Sequence, residues 1–153
     1  MANTYTQIYI QYVFAVKNRE CLLKPNDENL QKYISGIIAN RKSKMLAINN
    51  MSDHIHILIS QHPTYSISKM AQEIKNNSSG MINDEKWFLN KFEWQTGYGA
   101  FSYGKTQTKA VKEYIFNQQE HHKIHTFKEE YLKLLEIFDI DFDKKYVFDF
   151  FDK

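Results

Sequence analysis

A chain of 153 residues fits one compact domain, because a single core is readily built at roughly 100 to 150 residues. Its 42% hydrophobic and 25% charged residues exclude disorder throughout the chain. The net charge of +2 excludes recognition of nucleic acid by bulk charge alone; five Asp and three Lys from Asp139 onward leave a mild basic bias of +4 on the residues before them.

The opening MANTYTQIYIQYVFAVK is broken by polar residues and lacks the basic start of a secretory signal. No stretch approaches the ~20 apolar residues of a membrane span, so neither targeting nor a membrane partner is expected. Within that opening, Thr4 to Val16 alternate between β-branched or aromatic and polar types, with Ile8, Ile10, Tyr12 and Phe14 on one side; this predicts a long strand. Lys17 to Glu20 end it. Cys21, the single cysteine, can form no internal disulfide, and a cytoplasmic location is the expectation. From Asn26 to Asn40, Leu30, Tyr33, Ile34, Ile37 and Ile38 recur at helical spacing. Met45 to Met51 and His54 to Ser60 predict two strands joined through a turn at Ser52 and Asp53. A second helix runs from Ile67 to about Met81, opened by Ser66 or Ser68. Asn83 to Thr96 show no period and predict an ordered loop. A short strand spans Ala100 to Tyr103, and long helices follow over Lys105 to His121 and Phe127 to Ile137.

The order strand, helix, strand, strand, helix, strand, helix is that of a ferredoxin-like α+β sandwich, the arrangement shared with RRM modules: an antiparallel sheet with helices on one face. The domain is expected to cover residues 1–138, with residues 139–153 an acidic, aromatic tail to which the pattern assigns no conformation.

Candidate chemistry sits on two elements. His54 and His56, at i and i+2 of a strand, leave the same face, so two imidazole nitrogens can meet one ion; the same pair can also simply decorate a half-buried strand. Tyr114 and Gln118, four apart on a helix, project from one face. A phenol can act as a covalent nucleophile and an amide oxygen can serve a hard cation, although a core aromatic and a solvated amide share this spacing.

Joined, these segments resemble the single-tyrosine HUH transposases of small insertion sequences and the REP-associated tyrosine transposases. DHIHILIS, from Asp53, is similar to that family's His-hydrophobic-His signature, and VKEYIFNQQEHH, from Val111 to His122, to its second signature. EIKNNSS, from Glu73, and WQTGYGAFS, from Trp94, also look like family segments, and the resemblance runs from about Tyr5 to Tyr131. It implies a ferredoxin-like fold and a homodimer in which the tyrosine acts in cis or in trans. It also implies an enzyme, a single-strand DNA transposase, that binds hairpin-bearing element ends. Tyr114 is then the nucleophile and His54, His56 and Gln118 hold a divalent ion.

With a phenol pKa near 10, Tyr114 needs a base or a strongly polarised target. A Mg2+ or Mn2+ ion polarises the phosphate, and attack leaves a 5′-phosphotyrosine and a free 3′-hydroxyl. No nucleotide cofactor is expected, in keeping with the lack of a GxxxxGK[ST] loop. DNA contacts are expected at Lys17, Arg19, Arg41, Lys42, Lys44 and Lys75, with base stacking at Trp87, Phe88 and Trp94. His121 and His122 read as surface histidines, with DNA contact or proton transfer as the other reading. Two other readings stand beside this one: an RRM-like binding module, whose aromatic strand signature is replaced here by histidines, and a metal-dependent phosphodiesterase that uses water and leaves Tyr114 a bystander.

Overall fold

The computed structural model describes residues 3–123 and 125–140. Runs of β-branched and aromatic residues form four strands, β1 (Tyr9–Ala15), β2 (Lys44–Asn50), β3 (His54–Ser60) and β4 (Gly99–Tyr103). They pair in one antiparallel sheet in the order β2-β3-β1-β4. The first strand begins at Tyr9 rather than Thr4 because its neighbours stop there: Tyr9 lies opposite Ser60 of β3 and Tyr103 of β4, where both ladders end.

Period-two alternation gives the sheet two distinct faces. Ile10, Tyr12, Phe14, Ile48, Ile55, Ile57 and Ile59 share one face and are all buried. Helices α1 (Glu28–Asn40) and α2 (Ile67–Asp84) cover it. Helix α1 starts where the Asp27 carboxylate accepts the Asn29 and Leu30 N–H groups, and it buries Leu30, Ile34, Ile37 and Ile38. Helix α2 starts at Ser66, whose hydroxyl accepts the Lys69 N–H. Each such aliphatic side chain contributes roughly 1.5–3 kcal/mol on burial, and this layer anchors the backs of the strands that carry the histidines. The loop of residues 83–96 is ordered, as expected. The Asn83 amide donates to the Phe92 carbonyl at 2.9 Å and accepts its N–H at 2.7 Å, which drives Phe92 and Trp94 into the core beside Phe14.

The opposite face carries His54 and His56 together with Val13, Ala15, Ala47, Leu58 and Phe101, all buried. Apolar residues on this side also need cover, and three further helices provide it: α3 (Thr108–Phe116), α4 (Gln118–His121) and α5 (Phe127–Ile137). Val111 and Ile115 of α3 pack on Ala47 and Leu58, while Phe127 and Leu135 of α5 pack on Val13, Ala15 and Phe101. The ferredoxin-like α+β sandwich is therefore present, with α1 and α2 as its one-sided helical layer. A second layer of helices is added on the opposite face, which the alternate apolar residues of the strands demand. Gly99 lets that layer close down, because a Cβ there would lie 2.9 Å from the Tyr131 ring of α5.

The single helix expected over Lys105 to His121 is broken. A 3-10 turn, Lys105–Gln107, leads into α3, and Asn117, at φ −97° and ψ 20°, separates α3 from α4. The break is served from the sheet: Asn49 Nδ2 donates to the Ile115 carbonyl at 3.0 Å and to Gln119 Oε1 at 2.8 Å, and Gln119 Nε2 donates back to Asn49 Oδ1 at 3.1 Å. Carbonyls that lose their helical partner thus gain another. Of the expected tail, residues 141–153 lie outside the described residues. Among the described residues no helix is long and apolar enough to cross a membrane.

Candidate active site

Asp53, just before β3, and the alternation of the strand that follows set the first half of the site. His54 and His56 are fully buried on the face covered by α3, α4 and α5. Asp53 Oδ1 lies 2.7 Å from His54 Nδ1 and Asp53 Oδ2 lies 3.3 Å from Arg19 Nε. Burial works to raise the Asp53 pKa, but the His54 hydrogen bond and the nearby charges of His54 and Arg19 prevail and hold it below the usual carboxylate value. The carboxylate therefore fixes the His54 tautomer with its proton on Nδ1 and its Nε2 lone pair turned inward. The Phe127 ring stacks on the imidazole at 3.9 Å between centroids and 6° between planes, which removes its remaining freedom to tilt. Burial, reinforced by His56, holds the His54 pKa below its ordinary value against the pull of Asp53.

The second half comes from the broken helix. Gln118 Oε1 sits 3.3 Å from His54 Nε2, and Tyr114 of α3 places its ring edge-on to His56, with centroids 6.0 Å apart. All four expected residues, His54, His56, Tyr114 and Gln118, thus converge within one chain. Two groups that the sequence reading did not assign to the site complete the convergence. Glu130 of α5, only 7% exposed, accepts the Tyr114 hydroxyl and the Gln118 Nε2–H, the latter at 3.0 Å, on Oε2. Its other oxygen, Oε1, lies 2.8 Å from His56 Nε2. His122, read from sequence as a surface residue, points Nε2 at Gln118 Oε1 at 3.1 Å.

Charge in this pocket is arranged against ionisation of the phenol. Burial, then the negative charge of Glu130 and the hydrogen bond to it, push the Tyr114 pKa well above that of a free tyrosine. Burial alone would raise Glu130 as well, but His56, His122 and His54 outweigh it and keep the carboxylate ionised. Outside the cluster, a 280 Å³ pocket opens beside Tyr114 and Glu130, walled by Tyr103, Val111, Leu134 and Ile137, with Lys133 at its edge; the nucleophile position is reachable from outside through it.

His54, His122 and Glu130 each offer one ligand atom within 4.8 Å of the others, and Gln118 Oε1 adds a further neutral oxygen. Imidazole nitrogens with carboxylate and amide oxygens suit a divalent cation such as Mg2+ or Mn2+. If Asp53 orients His54 for such an ion, Asp53→Asn should lower Mn2+ affinity by roughly 10- to 100-fold with little change in the melting temperature. Calorimetric titration checks this, and an unchanged affinity would deny Asp53 that role.

A family model described as IS200-like transposase matches residues 4–118. The chain belongs to that family. As an IS200-like transposase it is a DNA-cleaving and strand-transferring enzyme of DNA transposition, with DNA as its partner. Two solved structures share the fold. A protein of Deinococcus radiodurans R1 described as a candidate transposase superposes with a TM-score of 0.58 at 20% identity, covering 77% of this chain and 95% of that one. A REP-associated tyrosine transposase bound to a REP hairpin superposes with a TM-score of 0.59 at 16% identity, covering 80% and 73%. A search of curated proteins gives no match.

The expected DNA contacts of the transposase fall in varied places. Lys17 pairs with Glu93 at 3.1 Å on the surface. Arg19 stands behind the site on Asp53, and Arg41 pairs with Glu73 at 2.8 Å. Lys75 Nζ donates to the carbonyls of Gln95 and Gly97 at 2.7 and 2.8 Å, tying α2 to the loop before β4. Trp94 is the clear correction. It is 8% exposed, packed between Phe14 and Phe92, and its Nε1–H is taken by Ser78 Oγ at 2.9 Å, so it offers no open face to a base. Trp87 and Phe88 likewise pack against the core.

Proposed function

We propose that this IS200-like transposase cleaves and rejoins single-stranded DNA at hairpin-bearing element ends by transesterification through Tyr114. The observation that carries the reading is the meeting of Tyr114, His54, His56 and Gln118 at one buried point, reached through an open pocket. The solved relative bound to a REP hairpin supports the choice of a hairpin-bearing substrate.

The Tyr114 oxygen attacks phosphorus, the bond from phosphorus to the 3′-oxygen breaks, and a 5′-phosphotyrosine and a 3′-hydroxyl result. Attack by a 3′-hydroxyl on the phosphotyrosine reverses the step and restores the phenol, so the phosphodiester is conserved without a nucleotide cofactor. The hydrogen bond from Tyr114 to Glu130 Oε2 aims the phenol oxygen and offers its proton an acceptor as the new bond forms. Asp53 holds the His54 tautomer, and the Asn49 bridge fixes the break that turns Gln118 inward. His54, His56 and Gln118 would hold a divalent ion, Mg2+ or Mn2+, which when bound supplies positive charge to the non-bridging phosphate oxygens. The Phe127 ring and the burial of both histidines shield the imidazoles from solvent.

The test is to incubate the protein and Mg2+ with end-labelled single-stranded element DNA carrying a foot-of-hairpin junction. A denaturation-resistant protein-DNA adduct is expected, mapping by mass spectrometry to the peptide that contains Tyr114. Cleavage without any adduct would sink the transesterification reading.

A further inference from the structure

Glu130 and His122 both lie beyond residues 4–118, the stretch that the family model covers, yet their side chains end inside the site. Resting on the proposed metal-assisted reaction, we infer that Glu130 and His122 are ligands of the divalent ion and complete the donor set that His54 and Gln118 begin.

Donor spacing carries the inference. Gln118 Oε1 lies 3.3 Å from His54 Nε2 and 3.1 Å from His122 Nε2. Glu130 Oε1 lies 3.6 Å from His54 Nε2 and 3.5 Å from His122 Nε2. Two atoms bound at about 2.1 Å to one ion stand about 3.0 Å apart at a right angle and about 3.4 Å apart at the tetrahedral angle. The four separations are those of a cage around a single cation. His56 stands outside this four-donor cage and meets Glu130 Oε1 with Nε2 at 2.8 Å, so in this arrangement it positions the carboxylate ligand instead of binding the ion as in the three-residue set above.

The polarity of the cluster points the same way. Asp53 keeps the His54 proton on Nδ1, so Nε2 presents a lone pair. Gln118 donates its Nε2–H to Glu130 Oε2, so Oε1 presents another, and Glu130 Oε1 presents a third. Without an ion, His122 Nε2 and His56 Nε2 can donate to Gln118 Oε1 and Glu130 Oε1; with its proton moved to Nδ1, His122 turns a lone pair to the same centre as the other donors. Two imidazoles and an amide are neutral donors that grip a hard ion weakly, whereas a carboxylate adds a full negative charge. Glu130 thus lets the protein hold its ion before DNA arrives. Helix α5 becomes part of the catalytic centre, since one carboxylate touches the ion through Oε1 and the nucleophile through Oε2.

Mn2+ alone, added to the full chain without DNA and followed by the spin-resonance signal of the free ion, tests this apart from strand cleavage. The wild-type protein is expected to sequester Mn2+. Glu130→Gln and His122→Asn should each weaken binding tenfold or more, while Glu129→Gln, an exposed neighbour on the same helix, should leave it unchanged. Should Glu130→Gln fail to fold, His122→Asn at the rim of the site still decides, because nitrogen modulation of the bound Mn2+ signal should fall by one imidazole in that variant. Affinity and nitrogen count unchanged in the variants that fold would overturn the inference. So would wild-type protein that leaves Mn2+ free, an outcome that does not touch the adduct assay with DNA, by which the proposed function stands or falls separately.

Discussion

Tyr114→Phe protein is expected to form no covalent adduct with single-stranded DNA and to cleave it at least roughly 10⁴-fold more slowly than the wild type. The substitution removes one oxygen and keeps the ring, so the edge contact with His56 and the packing on His121, with centroids 6.0 and 4.6 Å away, persist. Glu130 Oε2 loses the phenol but keeps the Gln118 Nε2–H at 3.0 Å, so the carboxylate is not left without a partner. The stability cost should therefore be that of one hydrogen bond, about 1 kcal/mol, far too small to explain a loss of activity by unfolding. Removing the group that forms the covalent bond, by contrast, removes the reaction path itself. Labelled substrate resolved on a denaturing gel reads both adduct and cleavage. Cleavage near the wild-type rate in this variant would hand the chemistry to an activated water and return Tyr114 to the role of bystander.

The halves of this site differed in how visible they were before folding. Strand β3 was legible because its period is two: Ile55, Ile57 and Ile59 commit one face to the core, and that forces His54 and His56 together onto the other. Tyr114 and Gln118 were legible as an i, i+4 pair even though the chain breaks between them at Asn117. The break itself could not be read, because it depends on Asn49, 66 residues from Ile115 along the chain and adjacent only after β2 has paired. His122 was discounted for the same reason: on a continuous helix a polar tail such as QQEHH faces water, whereas here the turn after Asn117 directs it at Gln118. Glu130 did leave a signal. It lies three residues after Phe127 and four before Leu134, on the apolar stripe of α5, and a carboxylate on a buried stripe needs partners. Those partners, His56, Tyr114 and Gln118, come from three other elements, β3, α3 and α4, and no spacing within α5 names them. Trp94 misled in the opposite sense. An aromatic among charges suggests a stacking surface, but Asn83 clamps the loop at Phe92 and turns the indole inward.

An equimolar mixture of His54→Ala and Tyr114→Phe proteins is expected to stay inactive in the adduct assay. In one chain the Tyr114 hydroxyl reaches Glu130, and the same carboxylate lies 3.6 Å from His54 Nε2 and 2.8 Å from His56 Nε2, so nucleophile and histidines belong to one subunit. Each variant then brings a site with one missing part, and pairing two such subunits repairs neither. If a homodimer instead exchanged the tyrosine helix, the His54→Ala subunit would lend its intact Tyr114 to the intact histidines of the Tyr114→Phe subunit. A mixed dimer would then own one complete site, and about half of randomly formed dimers would be mixed, so adduct would reappear at a sizeable fraction of the wild-type level. Exchange would have to break several ties at once: the Asn49 bridge to Ile115 and Gln119, the packing of Val111 and Ile115 on Ala47 and Leu58, and the link from Gln118 to Glu130. Burial of two aliphatic side chains contributes roughly 3–6 kcal/mol, and the hydrogen bonds add roughly 0.5–1.5 kcal/mol each. A swapped partner could restore these contacts only by reproducing the same surface, for no gain in bonding and at the entropic cost of association. Co-refolding the two variants before the assay gives exchange every chance to occur. Recovery of adduct under those conditions would show that the site is shared between subunits.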